Sequence, residues 1–289
     1  MNQAHPHALH GTQHGHPQPH DTDGQAEILD LDAEVLAEHT ASITAWLPLE
    51  TAPRRIVDLG CGTGAGTFAL LDRFPDAQVT AVDASTGYLQ HLHARACARG
   101  LEESVRTVQA DLDDSAWPDL GSPDLVWASA SMHHIGDPGR ALRNVHDALA
   151  PGGLFAVVEL AGFPRFLPEG GPSERPGLEE RCHAATDRFQ TEHMPHRGAD
   201  WGPMLTAAGF TVEGERTIAV NIAGSRNEAI RRYALSGLQR MRSAAATELS
   251  SEDLTALDEL LDTGGPSSIL RRDDLALRTE RIVWAARRS

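Results

Sequence analysis

The sequence of 289 residues contains no lysine, and all 25 of its basic residues are arginine. With 41 acidic side chains the formal net charge is −16. So acidic a chain has no positive field for nucleic acid, and no arginine run is long enough to override that. The acid excess reads as a solvated surface, and arginine in place of lysine points to a GC-rich genome more than to a physical requirement. Cysteine is also scarce. Cys61, Cys97 and Cys182 are widely spaced and odd in number, which excludes a disulfide framework and any standard zinc spacing. Nowhere does an apolar run approach the ~20 residues of a membrane span. The N-terminus is polar and lacks the apolar core of a signal peptide. We therefore expect a cytoplasmic protein with neither nucleic-acid nor membrane partners. Nothing in the sequence specifies an oligomeric state.

What is present is enough apolar content, 40%, to build a core. Residues 1–24 are rich in Pro, Gly, Gln and His and are expected to be disordered, leaving 25–289 as a single domain. His5, His7, His10, His14, His16 and His20 in that tail read as compositional bias, because a metal site needs fixed geometry. One or two amphipathic helices are expected between Ala26 and Leu47. Strand and helix signals then alternate: strands at 56–59, 78–82, 105–109, 124–128 and 154–160, with helices over about 65–74, 85–100 and 138–149. Continuous apolar strands separated by helices predict a mostly parallel sheet covered on both faces. Segment 161–198 reads as loops with a short helix. A helix at 201–209, a strand at 210–220, an amphipathic helix through Ile230, Tyr233, Leu238 and Met241, a helix capped by Ser250 and a last strand at 278–286 complete the chain.

The most informative segment is Asp58-Leu59-Gly60-Cys61-Gly62-Thr63-Gly64. Three alternate glycines after a buried strand leave a turn without Cβ atoms, followed by a helix with unpaired N–H groups, so a ligand can lie against backbone. Gly60, Gly62 and Ala65 satisfy the loose dinucleotide fingerprint, with Asp83 about 20 residues on to take ribose hydroxyls. That reading, an NAD(P)-dependent oxidoreductase, stays open. Asp58 argues against it, because a carboxylate at the strand end repels a pyrophosphate and attracts a cation.

The motif D-x-G-x-G-x-G resembles that of class I S-adenosylmethionine-dependent methyltransferases. Downstream features agree in order: Ala-Val-Asp83-Ala84-Ser, Gln-Ala-Asp111-Leu112-Asp, then Ser129 to Pro138 with its His133-His134-x-x-Asp-Pro pattern, and Leu149-Ala-Pro151-Gly152-Gly153. These resemble the small-molecule enzymes related to ubiquinone and menaquinone methyltransferases, over about residues 50–160. The resemblance implies a Rossmann-like α/β fold with a seven-stranded, mostly parallel sheet and lid insertions after strands five and six, at 161–198 and 222–275. It implies S-adenosyl-L-methionine as cofactor, held by Asp58, Gly60, Cys61, Gly62, Gly64, Asp83, Ala84, Asp111, Leu112 and Ser129. Asp83 would accept the ribose hydroxyls and Asp111 the adenine edge, with Leu112 against the base. Asp58 would bind the cofactor ammonium directly or orient the loop.

The implied partner is a small-molecule methyl acceptor with an O, N or C nucleophile; the GC-rich signature suggests specialised metabolism. A member of the same fold that binds the cofactor without methylating is the other alternative. His133 and His134 are candidate bases, since histidine titrates near neutrality, although a loop-orienting role fits them equally. Candidate pocket residues are Met132, His133, Glu159, Phe163, Phe189, His193, Met194 and Trp201. Arg231, Arg232, Arg271 and Arg272 are candidates for an acidic acceptor, with solvation as the default, and Tyr233 reads as facing a packing partner. No aspartate cluster follows strand four, so no Mg²⁺ is predicted. Cys182, His183, Glu192, His193 and His196 match no metal spacing.

Overall fold

Unbroken apolar strands need cover on both faces, and helices provide it. The computed structural model describes residues 19–172, 175–194, 196–224 and 227–289, so the histidine-rich stretch before Pro19 lies outside the described residues. The described helices are α1 (Pro19–Val35), α2 (Ala37–Trp46), α3 (Ala65–Arg73), α4 (Thr86–Ala98), α5 (Pro138–Ala148), α6 (Leu178–His193), α7 (Trp201–Ala207), α8 (Glu228–Ala244) and α9 (Ser251–Leu261). The strands are β1 (Arg55–Leu59), β2 (Gln78–Asp83), β3 (Val105–Gln109), β4 (Leu125–Ser129), β5 (Leu154–Leu160), β6 (Phe210–Ala223) and β7 (Ala276–Arg288). They form one sheet in the order β3-β2-β1-β4-β5-β7-β6. Only β7 runs against its neighbours. The order reverses between β1 and β4, and a parallel sheet binds ligands outside its carboxyl ends at such a point.

Side-chain alternation divides the sheet into two cores. Ile56, Val79, Leu125, Trp127 and Ala156 face α2, α3 and α4 through Ile43, Phe68 and Leu92. Val57, Leu59, Val126, Phe155 and Trp284 face α5 and α7 through Leu142, Val145, Trp201 and Leu205. Each fully buried Leu, Val or Phe contributes about 1.5–3 kcal/mol, so these two layers dominate stability. A third cluster lies beyond the sheet's carboxyl edge. Leu31 of α1, Leu178 and Cys182 of α6, Ile230 and Leu238 of α8 and Leu257 of α9 gather there on Val220 and Leu277, near one end of the antiparallel β6–β7 pair.

Two expectations are corrected by these elements. Helix α1 begins at Pro19, inside the stretch expected to be irregular. The segment after β5 holds not a short helix but α6, with 16 residues. Its periodicity is weak because charged residues Glu179, Glu180, Arg181 and Asp187 interrupt the apolar positions. One of them is structural: Glu179 is buried and accepts the backbone N–H groups of Phe166 (2.7 Å) and Leu167 (3.1 Å).

The cap is tied together by charge. Asp253, near the start of α9, is buried and accepts from Arg181 (Nε 2.9 Å) and Arg175 (Nε 2.7 Å). Those hydrogen bonds, Arg181 foremost, hold its carboxyl well below the usual range. A depressed pKa contributes stability above the ordinary carboxylate range, and that share disappears as pH falls through the folded value. Asp253→Asn should therefore lower stability at neutral pH by about 2 kcal/mol, read as a reduced urea midpoint, with the gap closing in acid. An unchanged midpoint at neutral pH contradicts this role.

Candidate functional site

The glycine turn lies between β1 and α3, and its shape follows from what cannot fit. Gly60, Gly62 and Gly64 have φ of 63°, 51° and 96°. A Cβ on Gly60 would stand 2.4 Å from Cβ of Ser131, and one on Gly64 2.9 Å from Phe68 and Leu92. The Ser131 hydroxyl donates to the Leu59 carbonyl at 2.9 Å, holding the chain after β4 on this turn. Just before it, Ala130 has φ 51°, a left-handed backbone that costs a non-glycine residue about 1 kcal/mol or more. Strain at the end of β4 is thus held in place by contact with the turn.

Asp83 ends β2 and clasps two segments. Its Oδ2 accepts the Gly62 N–H at 2.9 Å and its Oδ1 the Ser85 N–H at 2.8 Å. Burial raises its pKa against those bonds. Each oxygen retains accepting capacity, which is what a ribose diol requires. Beside it, Ala84 accepts from the Gln109 side chain through its carbonyl, at 3.2 Å.

Asp58 is buried beneath the first turn of α3, where Oδ2 accepts the Thr67 hydroxyl at 2.7 Å. Burial pushes its pKa up to about 7. Of the two roles expected for Asp58, this geometry serves loop orientation. Cys61 is buried, burial pushes its thiol up, and its N–H donates to the Val82 carbonyl at 3.0 Å, so it acts as an apolar spacer.

Asp111 is exposed beyond β3 and accepts the Asp113 N–H at 2.9 Å, with Leu112 half-buried against the α5 and α7 core. Asp113 accepts the Gly136 N–H at 2.9 Å, joining this loop to the segment after β4. Ser129 is half-buried at the end of β4, alongside the turn.

The histidine pair divides. His134 is exposed, whereas His133 is 2% exposed, with Nδ1 2.5 Å from Glu159 Oε2. Glu159 Oε1 also accepts the N–H groups of Met132 (2.9 Å) and His133 (3.3 Å), so the carboxylate organises the turn after β4. His133 and Glu159, expected to line a pocket, are here a buried structural pair. Met132 and Trp201 are corrected likewise, both at 0% exposure in the α5 and α7 core. Phe163 is half-buried under the Arg197 guanidinium, and Met194 is half-buried. The side chains of Phe189 and His193 lie outside the described residues. Of the four candidate arginines, Arg231, Arg232 and Arg272 pair with Asp273, Glu27 and Asp274.

Helix α1 roofs the turn. A Cβ on Gly62 would lie 3.2 Å from Leu29 Cδ1. Asp30 reaches α4, pairing with Arg95 at 2.7 Å and His91 at 2.9 Å, and Arg95 also donates to the Thr63 carbonyl at 3.1 Å. Sequence reasoning missed Asp30, Thr67, Asp113 and Ser131. Each acts through tertiary contact, and only Thr67, on the exit from the glycine motif, carried a local signal.

A glycine turn, an acid at each of the first three strand ends and an irregular segment after β4 thus meet at the carboxyl edge of the sheet. The family described as a methyltransferase domain matches residues 56–153. The trans-aconitate 2-methyltransferase of Methylobacterium nodulans is 34% identical over 196 residues, spanning 64% of this chain and 69% of that protein. The chain belongs to the class I S-adenosylmethionine-dependent methyltransferases. It is also 42% identical over 106 residues to the trans-aconitate 2-methyltransferase of Acidovorax sp. JS42, covering 37% of this chain and 38% of that protein. Several curated relatives are thus matched over less than half their length. A Bacillus halodurans structure shares the fold with TM-score 0.54 at 18% identity, covering 86% of this chain and 98% of that one.

Asp58 and Glu179 make stability depend on pH in one direction. Burial raises both to about 7, so the protonated carboxyls favour folding, and that contribution is lost as pH rises through the folded value. Urea midpoints should fall between about pH 4 and pH 7, and Asp58→Asn should flatten the slope while keeping an acceptor for Thr67. A variant with the wild-type slope contradicts the assignment.

Proposed function

We propose that this chain transfers a methyl group from S-adenosyl-L-methionine to an O, N or C nucleophile of a small molecule. The observation that carries the reading is the Asp83 clasp beside a turn that accepts no Cβ at Gly60 or Gly64. Such a floor suits a cofactor lying against backbone, and the residues present fit it. Gly60, Gly62 and Gly64 would support its amino-acid portion, Asp83 its ribose, and Asp111 with Leu112 its adenine. When bound, the cofactor supplies a methyl carbon already activated by a sulfonium. The chain's own work is then to align the nucleophile and exclude water. Helix α1, with Leu29 over Gly62, serves the second task. His134 is the exposed histidine of the pair and the better placed for proton transfer; His133 positions the loop through Glu159. The NAD(P) reading finds no support among the relatives, which are named as methyltransferases.

The test is transfer of labelled methyl from S-adenosylmethionine to trans-aconitate and to a demethylmenaquinone analogue, the acceptors in the names of two relatives. Product with either supports the reading. No product with these or a wider panel of small acids and phenols, despite cofactor binding, would favour a non-methylating member. Asp83→Ala should weaken S-adenosylmethionine binding roughly ten- to hundredfold, the worth of one or two charge-assisted hydrogen bonds. Unchanged affinity refutes the ribose role.

A further inference from the structure

Arg281 is the one buried arginine among the described residues, at 7% exposure. It lies on β7 opposite Leu160, the last residue of β5, and so at the carboxyl edge where the cofactor cradle opens. One guanidinium nitrogen donates to Thr279 Oγ1 at 3.0 Å and the other to Asp32 Oδ1 at 3.0 Å. The Tyr233 hydroxyl, from α8, donates to that same Asp32 oxygen at 2.7 Å. Two donors on separate elements therefore converge on one carboxylate oxygen.

That carboxylate is carried by the roof of the site. Leu29, which covers Gly62, and Asp32 are three residues apart on α1. Residues so spaced share a helix face about 5 Å apart along the axis. The donor pair thus adjoins the covered glycine turn. The Asp32 side chain is 31% exposed, whereas Arg281 is buried. In a chain of net charge −16, an anionic molecule needs local donors of this kind to be held at all.

We propose that Arg281 and Tyr233 form a carboxylate-binding subsite for the methyl acceptor, and that Asp32 occupies the position an acceptor carboxylate takes. The inference rests on the methyl-transfer reading and gives its acceptor a chemical class: a carboxylate-bearing small molecule. An arginine fork and a phenol hydroxyl both donate, and both match a carboxylate's lone pairs. Displacement of Asp32 exchanges one carboxylate for another, so neither donor is left buried without a partner.

The experiment is calorimetric titration of the full chain, saturated with S-adenosylhomocysteine, using tricarballylate and its uncharged triamide. Wild type should bind tricarballylate and not the triamide. Arg281→Gln should weaken tricarballylate binding at least about tenfold, the loss expected for a hydrogen bond to a charged group, and Tyr233→Phe several-fold. Asp32→Asn should tighten it, because the internal competitor loses its charge; a purely structural ion pair predicts no such gain. All three variants should keep their affinity for S-adenosylhomocysteine. No tricarballylate binding by wild type, or Asp32→Asn binding no tighter than wild type, overturns the subsite. So does Arg281→Gln binding as wild type; if that variant fails to fold, Tyr233→Phe and Asp32→Asn carry the test. Failure of wild type to bind S-adenosylhomocysteine would instead strike the methyl-transfer reading itself.

Discussion

Asp83 accepts one hydrogen bond from the glycine turn and another from the entry to α4, and the site is assembled around that carboxylate. Its position at the end of β2 is fixed by parallel pairing with β1 and β3. The turn it grips is closed from beneath by Asp58 on Thr67 and from the side by Ser131 on Leu59. Strands β1, β2 and β4 are thus locked to one another where a ligand would meet them. Because the turn cannot accommodate side chains at Gly60 and Gly64, its open face is backbone. That property, rather than any one side chain, makes the cradle.

Charge is used sparingly inside and in pairs at the edges. Asp58 sits buried with a hydroxyl donor and Glu179 with two backbone donors and Arg278 at 3.8 Å, and burial raises the pKa of both. Asp253 has the opposite solution, two arginines and a depressed pKa. Helix α1 combines the two modes. Leu29 closes on the turn, while Asp30 and Asp32 reach α4, α8 and β7. Leu31 adds core packing in the third cluster, so polar and apolar contacts together hold the roof.

The parallel core of the sheet was legible because β1, β2, β4 and β5 are short, largely apolar runs bounded by turn residues; β3 and β5 occupy the residues expected of them. The glycine turn and the places of Asp83 and Asp111 at strand ends were legible because they follow locally from the strand boundaries. The pocket was not. Met132 and Trp201 look like pocket residues in a linear reading, yet the turn after β4 and the start of α7 pack both into the core. His133 faces Glu159 because β5 lies beside β4, a pairing the motif does not encode. Arg281 was hidden for a similar reason: within a strand of mixed polarity, nothing marks a buried arginine until α1 and α8 close over it.

The central claim is that this cradle is built for S-adenosylmethionine and not for a dinucleotide. Calorimetric titration of the full chain with S-adenosylhomocysteine and, separately, with NADH tests it directly. Saturable one-to-one binding of S-adenosylhomocysteine, with no heat from NADH, is the predicted result. Binding of NADH with none of S-adenosylhomocysteine would contradict the account.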